Sequence, residues 1–140
     1  MKYMLVMSQA QSDLPVDYSP AEMEKMFAEM GAYNDELIQA GVFVAAEGLS
    51  PEAESTRIEY RGDERDVTDG PYAEAKEVFA GYWILETATK DEAVEWAKKA
   101  PLQVGSIAVR RIASIDEFDL DIPAIQKERD RRAADRETVS

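Results

Sequence analysis

The sequence predicts an α+β domain with elements in the order β-α-β, hairpin, β-α-β. Three observations carry that prediction. Short apolar runs free of breakers alternate with two stretches of three- and four-residue apolar spacing that follow helix-capping residues, and a polar pair of strand-like segments flanks a Gly-Asp turn. At 140 residues the chain has the size of one domain, in which folding buries roughly two-thirds of the surface that the unfolded chain exposes.

The run Lys2 to Ser8 is short and apolar on both faces, which suits a buried strand. A polar loop from Gln9 to Tyr18 leads to Ser19-Pro20-Ala21-Glu22, where Ser19 caps, Pro20 fits the first turn and Glu22 closes a capping box. Met23, Met26, Phe27, Met30, Tyr33, Leu37 and Ile38 then mark one face of a helix over Ala21 to Ala40, stopped by Gly41. Val42 to Leu49 reads as a second strand, and Thr56 to Arg61 with Arg65 to Thr68 as an exposed hairpin around Gly62-Asp63. Val78 to Thr87 is the densest aromatic and β-branched run, hence a central strand, with Gly81 marking a close backbone approach. Thr89-Lys90-Asp91-Glu92 is a second capping box; its helix carries Ala93, Val94, Trp96 and Ala97 and stops before Pro101. Ser106 to Ala113 supplies the last strand. The order is that of a ferredoxin-like domain with an inserted β-hairpin. Residues 1–115 make this domain, and 116–140 a polar C-terminal helical extension that starts near Asp121 and Pro123 and is anchored by Ile122 and Ile125.

Two helices cover only one face of such a sheet, yet Lys2 to Ser8 and Val78 to Thr87 are apolar on both. A second copy packed sheet to sheet is the economical cover, so a homodimer is expected. Asp and Glu outnumber Lys and Arg by 29 to 16, a net charge of −13, which repels nucleic-acid phosphates and suits a basic protein partner better than DNA. The chain has no histidine and no cysteine, which removes the side chain that titrates near neutrality, the commonest zinc ligands and any disulfide. No window approaches a membrane span and no signal peptide is read, so a cytoplasmic location is expected. Neither a P-loop nor a dinucleotide fingerprint occurs, and no cofactor or resident metal is expected.

Chemistry concentrates between Val67 and Trp83, where the turn Asp69-Gly70-Pro71 precedes clustered ionisable and aromatic residues. Asp69 is the candidate catalytic carboxylate, in a cleft that shifts its pKa, or else the acceptor of backbone N–H groups in an Asx-type turn. Glu47, which interrupts an apolar strand, and Glu77 are candidate neighbours. Tyr3 and Tyr82 with Trp83 could line a small-molecule pocket, and Arg110 could bind an anionic group or form a strand-edge ion pair.

The segments MKYMLVM, AAEGL, DGPYAEAKEVFAGYWIL and DEAVEWAKKAP resemble the DGPF branch of the YCII-related family, with Tyr72 where that branch usually has Phe. The resemblance covers essentially the whole chain and implies a dimeric α/β-barrel assembly of ferredoxin-like subunits. Some YCII-like proteins carry a His-Asp pair in a cleft; with no histidine here, proton transfer would fall to carboxylates, tyrosines or Lys76. Likeness to muconolactone isomerases is at fold level. The family's association with extracytoplasmic-function sigma factors implies, as the alternative, an accessory module for a protein partner such as a sigma factor.

Overall fold

The computed structural model describes residues 1–10, 17–72, 74 and 76–139. Strands β1 (Lys2–Ala10), β2 (Phe43–Gly48), β5 (Glu77–Glu86) and β6 (Ser106–Arg111) form one antiparallel sheet in the order β2-β5-β1-β6. Strands β3 (Thr56–Arg61) and β4 (Glu64–Asp69) form a separate two-stranded ribbon. Helices α1 (Pro20–Gln39), α2 (Lys90–Lys98) and α3 (Pro123–Val139) complete an α+β architecture compatible with the ferredoxin-like order.

The local chemistry explains the element ends. Ser19 Oγ accepts the Glu22 N–H at 3.2 Å while Glu22 Oε2 accepts the Ser19 N–H at 3.0 Å, so the capping box that opens α1 is complete. At α2 only half of the expected box forms: Thr89 Oγ1 accepts the Glu92 N–H, but the Glu92 carboxylate takes the N–H of Ala88 instead. Gly41 stops α1 at φ +73°, and Gly62 turns the ribbon at φ +60°, both left-handed values that a side chain would strain.

The ends of β2, β4 and β5 shift by one residue from the sequence reading, and those of β1 and β6 by two; the larger shifts have one reason, the reach of the partner strand. β1 continues through Gln9 and Ala10 because Val78 and Glu77 lie opposite to pair with them; residues 11–16 of the expected polar loop lie outside the described residues. β6 ends at Arg111, opposite Tyr3, where β1 is running out; only one further bond follows, from Ile112 N–H to the Lys2 carbonyl. At the extension, Ile125 is half-buried but Ile122 is 46% exposed, so Ile122 is not the anchor expected of it.

The core lies on one face of the sheet. Tyr3 and Leu5 of β1 and Trp83 and Leu85 of β5 meet Tyr33 and Leu37 of α1 and Ala93 of α2. Leu5, Leu37 and Leu85 are fully buried, each contributing about 1.5–3 kcal/mol of hydrophobic stabilisation. Trp83 is pinned edge-on against Tyr33, with ring centroids 5.5 Å apart, and its Nε1–H donates to Asn34 Oδ1 at 2.9 Å. The Tyr33 hydroxyl donates to the Trp96 carbonyl at 2.8 Å and so ties α1 to α2. The alternating residues Met4, Val6, Tyr82 and Ile84 sit on the face turned away from α1 and α2 and are half-buried.

Candidate functional site

The Asp69-Gly70-Pro71-Tyr72 turn ends the ribbon and folds back over the 3₁₀ turn Glu52–Glu54. Gly70 N–H donates to the Ser55 carbonyl at 2.8 Å, and a Cβ at Gly70 would collide with the Glu52 carbonyl oxygen, so the close approach requires glycine. Ser55 Oγ donates to that Glu52 carbonyl at 2.7 Å and lies 2.9 Å from the Tyr72 hydroxyl, leaving Tyr72 as the donor of their shared bond. The Arg57 guanidinium stacks 4.2 Å from the centroid of the Tyr72 ring, a cation–π contact. Glu74 closes on the same guanidinium and Glu59 Oε1 stands 3.3 Å from Arg57 Nε.

These contacts border an open cavity of about 570 Å³ whose wall includes Leu49, Glu52, Ser55, Arg57, Tyr72 and Phe79, with Thr56 and Ile58 beside them. Phe79 stands opposite Ser8, while its neighbour Val78, opposite Gln9, is buried; the register therefore carries the cavity to the sheet face turned away from α1 and α2. The hydrogen bond from Arg57 holds the Glu74 carboxyl below its ordinary range, and Glu74 raises Arg57 in turn. Glu52 Oε2 is buried and has no hydrogen-bond partner among the described residues. Arg57 Nε is also buried without a well-directed hydrogen bond; Glu59 is near enough for attraction but poorly aligned, and we count it as an ion pair only. A buried acceptor left unpaired costs about 1–3 kcal/mol.

The structure brings three of the residues that the sequence singles out to one place, Glu47, Tyr82 and Trp83 in the wall of a cavity of about 250 Å³ that Asn34 of α1 also lines, and separates the rest. Asp69 is exposed, and its Oδ1 accepts from the Thr56 hydroxyl at 2.9 Å; its partner is a side chain rather than the backbone N–H groups of an Asx turn, and through Thr56 it reaches the cavity wall. Glu77 is exposed at the start of β5, opposite Ala10. Glu47 and Tyr82 are register partners on the face away from the helices, and Arg110 stands on that face opposite Met4. Glu47 and Arg110 make no ion pair among the described residues. Tyr3 lies on the other face, 3% exposed in the core, so it cannot share a pocket with Tyr82. Gly81 does mark a close approach: a Cβ there would stand 2.7 Å from the Glu47 carbonyl oxygen.

Glu52, Ser55 and Arg57 escape the sequence reading because nothing local announces that the turn at 69–72 folds onto them. The one legible signal is the opposite charge of Arg57 and Glu74. No cluster of three or more metal-ligating side chains forms among the described residues, and no helix among them is long and apolar enough to cross a membrane.

Against known proteins, the family model described as the YCII-related domain matches residues 1–116. An uncharacterized protein of Rhizobium meliloti (strain 1021) is 29% identical over 99 residues, which cover 69% of this chain and 80% of that one.

Proposed function

This chain belongs to the YCII-related family, and from that membership we propose that it is a small-molecule-binding protein or enzyme whose ligand occupies the cleft beside Asp69. One observation carries the reading. Glu52 stands in the wall of the cavity at the Asp69–Tyr72 turn, and one of its carboxylate oxygens is buried with no partner among the described residues, whereas buried polar groups ordinarily have one. A ligand whose hydroxyl or amine meets the Glu52 carboxylate as that side chain turns into the cavity, and whose apolar body lies against Leu49, Ile58 and Phe79, satisfies both halves of the wall.

In this reading the turn is that of the DGPF branch, with Tyr72 where Phe is usual. That exchange is not neutral, because the Tyr72 hydroxyl bonds to Ser55 while its ring carries Arg57. In this reading Asp69 fixes Thr56 at the cavity wall. If the ligand is turned over, proton transfer belongs to Glu52 or Asp69, since the chain has no histidine. We further propose a homodimer joined through the sheet face that bears Met4, Val6, Tyr82 and Ile84, which brings the second copy to the Phe79 rim of the cavity. Glu47 and Arg110 support it: each two-fold copy would offer the other both a carboxylate and a guanidinium that make no ion pair among the described residues.

The test is thermal stabilisation of the purified protein against small metabolites bearing hydroxyls, amines, carboxylates, lactones and cyclic ketones, with each hit repeated on Glu52→Gln and Asp69→Asn. A ligand at a hundredfold excess over its Kd adds about 2.7 kcal/mol. We expect Glu52→Gln to remove most of that gain. Asp69→Asn keeps an acceptor for Thr56, so a loss there as well assigns a role to the Asp69 charge itself. Hits indifferent to both variants would place the ligand elsewhere, and no hit at millimolar concentration would favour a protein partner.

A further inference from the structure

A second cavity, of about 530 Å³, opens between α3 and the end of the main sheet. Its wall carries four basic side chains, Lys2, Arg111, Arg132 and Arg136, against two carboxylates, Glu86 and Glu117. In a chain of net charge −13 this is a local reversal of sign, and a concave site lined by one sign of charge concentrates the opposite ion.

The two carboxylates do not cancel the cations evenly. Glu117 is spent on Arg111, which it grips with both oxygens. Lys2 and Arg136 make no ion pair among the described residues. Arg132 gives only its Nε–H, to Glu128 at 2.7 Å, which leaves both Nη groups without a bond to any described residue. Arg132 and Arg136 stand four residues apart on α3, hence on one face of that helix. Both lie beyond the stretch that the family model matches, so the cavity is completed by a segment outside it.

We propose that this cavity binds a small, multiply charged oxyanion of the kind borne by phosphorylated or polycarboxylic metabolites. Arginine forks match the oxygen geometry of both groups. The volume fits a metabolite, and the acidity of the remaining surface works against an extended polyanion. The site is separate from the cleft beside Asp69, and its fate does not depend on that cleft.

Isothermal titration of the full chain at low salt with inorganic pyrophosphate and with citrate tests it, the two arms telling phosphate from carboxylate. Saturable binding of at least one is expected. The double variant Arg132→Gln/Arg136→Gln should weaken it by about tenfold or more. The matched variant Arg129→Gln/Arg131→Gln changes net charge equally on the same helix but outside the cavity wall, and should bind as the parent does, with circular dichroism confirming α3 in both. Absence of saturable binding to either anion, or equal weakening in the two double variants, would overturn the proposal.

Discussion

At the scale of single residues, burial and hydrogen bonding leave measurable marks. Tyr33 is enclosed between α1 and α2, and burial, with a lesser push from the Glu36 charge, raises its hydroxyl from 10.0 to about 12. The folded state therefore holds a proton that the unfolded chain releases first. Tyr33 contributes in full below pH 10, and that contribution drains away as pH climbs from 10 to about 12. Tyr33→Phe removes the bond to the Trp96 carbonyl, at a cost of about 1 kcal/mol near neutrality. Urea midpoints taken across that alkaline range should fall less steeply in the variant than in the parent; parallel slopes would show that Tyr33 does not titrate as described. Gly70 and Gly81 are the other single residues that decide geometry, each with a carbonyl oxygen where a Cβ would sit.

At the scale of elements, legibility followed the range of the interaction. The capping box at Ser19, the stop at Gly41 and the Gly62 turn are local, and each was readable from a few neighbours. The ends of β1 and β6 depend on where a partner strand runs out, which no local pattern reports. The short turn at Ile115–Glu117 was missed although Ser114 and Glu117 form a capping box before it; one turn is too short to show a helical period. The site divided in the same way. Asp69-Gly70-Pro71 is legible as a turn, but the Glu52–Arg57 segment it folds onto is not, and Tyr3 does not join Tyr82, because Tyr82 stands opposite Val6 and residues 3 and 6 of one strand face opposite ways. The sheet face away from the helices carries its own prediction. Glu47→Arg should weaken the proposed dimer by about tenfold, and adding Arg110→Glu should restore it. Sedimentation equilibrium reads both steps; a monomeric parent, or a swap that restores nothing, would remove this interface.

At the scale of the whole molecule, the main sheet and two helices form a frame, and the cavities of both proposals sit where less regular pieces meet it. The ribbon and its turn build one beside Phe79, and α3 builds the other beside Lys2 and Arg111. Their chemistry differs: among the described residues Glu52 of the first has a carboxylate oxygen without a partner, and Lys2 and Arg136 of the second make no ion pair. The two proposals divide accordingly, a neutral or cationic ligand at the first and an anion at the second. The most direct measurement is amide hydrogen exchange on the protein saturated with a ligand found in the stabilisation screen. Binding in the cleft beside Asp69 predicts slowed exchange confined to Leu49–Ile58 and to Gly70–Phe79, with the α3 end unchanged. Protection that spares both segments would contradict it.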